Sequence, residues 1–311
     1  MKFLKYLAFI LFGLLTIFVL LSIKQDIPID DLKATYAQTP SKFIKIKNIN
    51  IHYRIEGVEN DTLPIILIHG TGASLHTFDA WTKELSVSKK VIRMDLPGFG
   101  LTGPFPDRNY SISSYISTID TFLFKLGVKK CIMAGNSLGG NIAWQYTLMF
   151  PEKVHKLILI DAAGLKYTES KPPLAFRIAR IPILNKLLTM ITPKSMARKS
   201  IEDVYYNKAL VTDEIVDRYF NLTLREGNRQ AMVDRMTTPI DYSALKDLGE
   251  IYIPTLILWG ENDLLIPLSS ALEFSKKLPN DTLIVIHNCG HVPMEECPSE
   301  TLKPVLNFIS N

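Results

Sequence analysis

The sequence has 311 residues, 47% of them hydrophobic and 21% charged, enough for a sizeable core in one large α/β domain or two smaller ones. With 16 Gly and 18 Pro it is neither collagen-like nor of low complexity. A net charge of +4 gives no whole-chain argument for nucleic acid, and three cysteines (Cys131, Cys289, Cys297) are too few for a disulfide scaffold. No solenoid-period repeat, zinc-type cysteine pairing or Walker A loop occurs in the sequence.

Leu7 to Ile23 carries no charge. Read over 3–23, with Lys5 snorkelling, the segment is long enough as a helix for a hydrocarbon core of about 30 Å, so a transmembrane anchor is predicted there. A cleaved signal peptide is the alternative, but no small-residue cleavage site closely follows the apolar run. Lys2 and Lys5 precede the span and Lys24 follows it. This slight bias places the N-terminus in the cytoplasm and the body across the membrane, periplasmic, extracellular or lumenal. That side permits disulfides, and Cys289 and Cys297 are candidates for pairing, with free thiols the alternative.

Residues 24–42 are polar and read as a linker. From Phe43 the chain alternates through Ile55 with a break near Asn48, which predicts a strand pair. Short apolar runs then alternate with helical stretches: 65–68, 91–94, 131–134, 157–160, 255–258 and 283–286. Such runs suit parallel strands buried on both faces, so the fold class is α/β, a mostly parallel sheet flanked by helices. The alternation breaks once. Residues 165–240 show helical patterning, with Pro172, Pro173, Pro182 and Pro193 dividing the first part into short helices. They are read as a helical cap inserted into a core of 43–164 and 241–311.

Gly135-Asn136-Ser137-Leu138-Gly139 follows the 131–134 run directly and precedes a helical stretch. This is the G-x-S-x-G turn in its required strand–turn–helix context. A turn that tight leaves no room for side chains at its two glycines and pushes the serine hydroxyl out above the sheet. The helix N-terminus beneath favours developing negative charge.

With that turn, the chain resembles the α/β-hydrolase superfamily in its cap-bearing serine esterase and lipase branch. The resemblance spans about 43 to 309. It includes His69-Gly70-Thr71-Gly72, Asp95-Leu96-Pro97-Gly98-Phe99-Gly100, Gly260-Glu261-Asn262-Asp263 and Gly290-His291, each after a strand. The set specifies the fold closely and the substrate loosely. The resemblance implies Ser137 as nucleophile with no cofactor or metal, unlike the aspartate-nucleophile dehalogenases and epoxide hydrolases.

A serine hydroxyl needs a positioned base. His291 matches the family's catalytic position, with His287 on the same strand end as its rival. His52 and His155 are read as surface residues, His76 as a loop residue near the cleft and His69 as structural. Asp263 completes the order Ser, Asp, His, with Asp161 as the alternative acid and Asp95 structural. Oxyanion donors are expected from the backbone of Leu138 and of Thr71, with Gly72 nearby.

These residues imply a membrane-anchored hydrolase of carboxylic esters, lipid-like in the manner of monoacylglycerols, since the resemblance includes anchored monoacylglycerol lipases. Carbon–carbon bond hydrolases of meta-cleavage products and cofactor-free perhydrolases use the same triad. A non-catalytic binding module is the reading from another class. Between Lys166 and Lys199 lie eight basic residues and one acid, Glu169, interleaved with apolar side chains. That pattern suits either a solvated lid or a cap lying on an anionic membrane surface.

Overall fold

One eight-stranded sheet organises the chain, in the order β1-β2-β4-β3-β5-β6-β7-β8. The strands are β1 (Lys42–Ile46), β2 (Ile49–Gly57), β3 (Ile65–Ile68), β4 (Lys90–Met94), β5 (Cys131–Asn136), β6 (Val154–Ile160), β7 (Thr255–Gly260) and β8 (Asp281–Ile286). β2 runs antiparallel to both of its neighbours, β1 and β4, and every other pairing is parallel. This computed structural model describes residues 23–167 and 170–310, together with Tyr6 and Gly13. The predicted anchor at 3–23 therefore lies, apart from Tyr6, Gly13 and Ile23, outside the described residues. Among the described residues no helix is long and apolar enough to cross a membrane.

The period of two along each strand divides the core. On β3, Ile66 and Ile68 enter the apolar cluster on one face of the sheet, and Ile65 and Leu67 enter the other. The first face is covered by α3 (Ile112–Lys125), α4 (Leu138–Met149) and α10 (Leu268–Lys277), through Ile119, Ile142 and Phe274. The second is covered by α2 (Asp79–Leu85) and α12 (Pro298–Ser310), through Trp81, Leu302 and Val305. Trp81 is fully buried, and its Nε1 donates to Thr301 Oγ1 at 2.9 Å, so the largest side chain of that face also satisfies its one polar atom.

Between β6 and β7 the described residues form five α-helices, two 3-10 helices and no strand; the α-helices are α5 (Leu174–Ala179), α6 (Leu184–Leu188), α7 (Lys194–Glu202), α8 (Asp213–Thr223) and α9 (Asn228–Thr237). Pro173 and Pro193 sit immediately before α5 and α7, where a missing N–H costs nothing. A buried cluster fastens this segment to the sheet domain. Glu295, on α11 (Pro293–Glu296), accepts from Tyr219 Oη at 2.7 Å and pairs with Arg218. Glu296 accepts from the Asn207 N–H at 2.6 Å.

Residues 24–42, read from their polarity as a linker, are docked on this helical segment. Ile23 bridges to Ile191, Ile27 N donates to Leu224 O at 2.7 Å, and Glu226 N donates to Ile27 O at 3.0 Å. Arg229, nine-tenths buried, gives Nη2 to Asp26 Oδ1 at 2.6 Å and to Lys24 O at 2.8 Å. Residues 29–36 form helix α1 (Ile29–Tyr36), whose Leu32 and Tyr36 pack on Leu101 and Leu222. Composition concealed this because the buried side chains are few and their partners lie far along the chain.

The basic segment 166–199 also carries less uncompensated charge than its composition suggests. Lys194, Arg198 and Lys199 pair with Asp217, Asp213 and Asp203, all acids beyond the counted stretch.

Candidate active site

β5 ends in the turn that presents Ser137. The backbone there has φ 54° and ψ −115°, a region that L side chains rarely occupy. The turn is held on both sides. Ser137 N donates to Ile160 O, and Ser137 O accepts from the N–H groups of Asn141 and Ala163, each at 3.0 Å. A Cβ on Gly135 would lie 2.2 Å from Gly139 O, and one on Gly139 would lie 2.2 Å from Ile68 O. Both are backbone atoms that cannot give way, so the two glycines are a steric requirement of the turn. Leu138 begins α4, and its N–H is one of the donors that a helix start leaves without an intrahelical partner.

The loop after β3 passes beside this turn. A Cβ on Gly70 would come within 3.0 Å of the Ser137 Cβ, and Gly72 has φ +77°. His69 braces the loop: Leu96 N donates to its Nε2 at 2.9 Å, so Nδ1 carries the proton and donates to Gly70 O at 2.7 Å. Burial holds this imidazole below its usual pKa, in keeping with a neutral, structural ring.

His291 follows β8. Its Nδ1 lies 2.6 Å from Asp263 Oδ2. Asp263 Oδ1 accepts the N–H groups of Leu265 at 2.8 Å and Ile266 at 3.0 Å, which fixes the carboxylate plane. The histidine backbone is pinned as well. His291 N donates to Val204 O at 2.8 Å, and Gly290 N donates to the buried Glu296 at 2.8 Å. Asn136, the residue before the serine, donates through Nδ2 to His291 O at 2.9 Å and to Ile160 O at 3.2 Å. Asn136 thus ties the serine turn to the histidine loop. Sequence reasoning passed over it as the variable position of the motif; its signal is a polar side chain at the end of a strand buried on both faces. Cys289 and Cys297 form a disulfide that brackets His291, with Cα atoms 6.4 Å apart. Cys131 is a buried free thiol pushed by burial to about 12, and so is chemically quiet.

The rival histidines fall elsewhere. The side chain of His287 is 76% exposed and pairs with Glu261 at 3.1 Å. His155 is exposed as expected. His52 departs from its reading as a surface residue: it is fully buried, with Nδ1 2.7 Å from Asp95 Oδ2 and Nε2 2.8 Å from Ser41 Oγ. The reason is topological, since β2 carries it onto the loop after β4. Asp95 also accepts from Leu75 N at 2.7 Å and Leu101 N at 2.8 Å. Burial opposes its charge, yet the His52 contact holds its carboxyl below the usual carboxylate range. His76 is buried and pushed down by that burial to about 4. Asp161 lies at the end of β6, close to Asp263 and His291.

A cavity of about 130 Å³ begins at Thr71 and Gly72 and runs under the helical segment, where Phe176, Leu188, Ile201 and Met232 line it. Val204, whose carbonyl holds His291, lines it too. Arg229 is the one charged residue in the lining among the described residues, and Asp26 already engages it.

The family described as "alpha/beta hydrolase fold" matches residues 64–298, more than half of the chain. The 2-hydroxy-6-oxo-2,4-heptadienoate hydrolase of Pseudomonas putida is 26% identical over 239 residues, covering 73% of this chain and 82% of that one. Monoacylglycerol lipase ABHD6 of Mus musculus is 25% identical over 271 residues, covering 83% and 79%. The solved structure of "a membrane phospholipase A, a novel bacterial virulence factor" matches with a TM-score of 0.75 at 26% identity, covering 99% of this chain and 98% of that one. On its sheet, its serine turn and this match, the chain belongs to the α/β-hydrolase family.

Proposed function

We propose that this hydrolase cleaves carboxylic esters with lipid-like acyl groups, such as monoacylglycerols, at Ser137. The Ser137 hydroxyl attacks the ester carbonyl while His291 Nε2 takes its proton. Asp263 holds Nδ1–H and stabilises the imidazolium that forms. The N–H groups of Leu138 and of Thr71, with Gly72 beside it, receive the developing oxyanion. His291 returns the proton to the leaving alcohol, and water then releases the acid from the acyl-enzyme by the same route.

The observation that carries this reading is the apolar cavity that begins at Thr71 and Gly72. Apolar cavities of about 150 Å³ accept ligands the size of benzene, so the space suits a short acyl segment or the first part of a longer one. One relative is named as a hydrolase of a dienone acid, which favours a second reading as a carbon–carbon bond hydrolase; such an acid carries a carboxylate. A carboxylate buried without a partner is costly, and among the described residues the cavity's one cation, Arg229, already pairs with Asp26 through Nε and Nη2, leaving only its buried Nη1 without an acceptor. The rest of the lining is mostly apolar and suits a neutral ester, and the comparison with a dienone acid below decides between the two.

The anchor belongs to the same proposal. The apolar segment 3–23 ends where Ile23 meets Ile191. In the stretch of chain leading to Ile191, Leu174, Ile181, Leu184, Leu187 and Met190 are exposed, and Ile183 is 77% exposed. Arg177, Arg180 and Lys186 are interleaved with them. Such a surface suits contact with the bilayer that holds the anchor, from which the substrate would enter. A disulfide beside His291 fits a body on the oxidising side of that membrane.

The test uses the full-length chain. After an alkaline-carbonate wash of host membranes it should remain in the pellet. There it should hydrolyse monoacylglycerols and simple esters, with a preference among chain lengths, at least about tenfold faster in kcat/KM than a dienone acid. Release into the wash would remove the anchor, and a preference for the dienone acid would select the carbon–carbon reading.

A further inference from the structure

Behind the Asp263–His291 pair lies a second carboxyl group that the mechanism does not use. Asp161 directly follows β6 and has no exposed surface. Its backbone has φ +43°, in the left-handed region that L side chains avoid, so the surrounding structure holds the residue there. Oδ1 accepts the N–H of Gly260 at 2.9 Å. Oδ2 is buried and receives no donor from any described residue. Carboxylate oxygens of Asp161 and Asp263 and a ring nitrogen of His291 all lie within 4.8 Å of one another.

Two buried carboxylates this close cannot both stay ionised beside one imidazole, so one of them must hold a proton. Donor counting identifies it. Asp263 receives two backbone N–H groups and the ring of His291, all favouring its ionised form. Asp161 receives one N–H and has an orphaned oxygen. Among the described residues, Glu296 acts electrostatically on Asp161 and Tyr167 lies within electrostatic reach of Asp263, and neither supplies positive charge.

We infer that Asp161 is a neutral carboxylic acid whose Oδ2–H donates to Asp263, making it a positioning residue that leaves the pair with a single negative charge. The orphaned oxygen then becomes a donor, and the catalytic carboxylate gains a further hydrogen bond. Burial and the neighbouring Asp263 push Asp161 well above the usual carboxylate range, in the same direction. The consequence for catalysis is a tempered acid. Asp263 then shares its charge with one donor beyond the two backbone N–H groups and the His291 ring, so it favours the imidazolium less than it would without Asp161. The inference rests on the proposed roles of Ser137, His291 and Asp263.

Two substitutions and one spectrum test it on the full-length chain. Asparagine at 161 keeps both functions, since Oδ1 can accept from Gly260 and Nδ2 can donate to Asp263. Asp161→Asn should leave the acid limb of the kcat/KM–pH profile in place and cost far less turnover than Asp263→Asn. Asp161→Ala removes the donor and should move that limb upward by about half a pH unit or more. An acid limb that falls in Asp161→Asn would mean that a negative charge had been removed, and would overturn the inference. A limb unmoved by either substitution would reduce Asp161 to a packing role. The infrared arm is independent of catalysis and of how well the alanine variant folds. At neutral pH the native chain should show the C=O band of a protonated carboxyl, absent in Asp161→Asn. If the band is missing from the native chain, Asp161 is ionised and the inference fails, whatever Ser137 and His291 do.

Discussion

Ser137→Ala is expected to lower turnover of a monoacylglycerol by at least about 10³-fold, and His291→Ala by a similar factor. Both variants should keep the native fold. Alanine at 137 retains the backbone bonds to Ile160, Asn141 and Ala163 and occupies the same positive φ as serine. At 291 the backbone remains tied to Val204 and Asn136. The double variant should be little worse than either single one. The hydroxyl is a useful nucleophile only with its base present, and the base has nothing to deprotonate without the hydroxyl. What survives is the contribution of binding and of the N–H donors. Steady-state kinetics with a circular-dichroism check on each variant measures this. A double variant worse by the product of the two single losses would mean that the residues act independently, and the shared mechanism would be wrong.

The second large effect is expected from a single-atom exchange at the acid. Asp263→Asn should lower kcat by about 10³- to 10⁴-fold without unfolding the chain. Asparagine can still accept from Leu265 and Ile266 through its carbonyl oxygen. Its NH₂ group would then face His291 Nδ1, where Asp263 Oδ2 now sits at 2.6 Å. Two donors cannot share that contact, so the ring takes the tautomer with its proton on Nε2. That nitrogen then cannot accept the serine proton. Asp161→Asn measured beside it ranks the two acids. A larger loss at 161 than at 263 would move the catalytic acid to the end of β6.

Much of this site could be read from the sequence because its requirements are local. The apolar runs mark strands, buried on both faces except at β8, which lies at the sheet edge and is only partly buried, and the serine turn announces itself by two glycines whose necessity shows in 2.2 Å clashes. What escaped depends on partners far along the chain. His52 looks like a hairpin residue until β2 brings it to Asp95, 43 positions away. Asp26 looks like part of a linker until Arg229 is placed beside it. The charge of segment 166–199 looks uncompensated until α8 and the end of α7 supply Asp217, Asp213 and Asp203. Asn136 and Asp161 were in view, one inside the motif and one as a rival acid. Their roles required the histidine loop to be folded against them.

The central claim is that Ser137 is a nucleophile activated by His291, and covalent trapping tests it without knowledge of the substrate. The full-length chain is treated with a fluorophosphonate, digested, and searched by mass spectrometry for the adduct. One label per chain is expected, on the peptide carrying Ser137. It should be absent in Ser137→Ala and slowed by at least about 10³-fold in His291→Ala. Label on another residue, or esters hydrolysed by a chain whose Ser137 takes no label, would contradict the account.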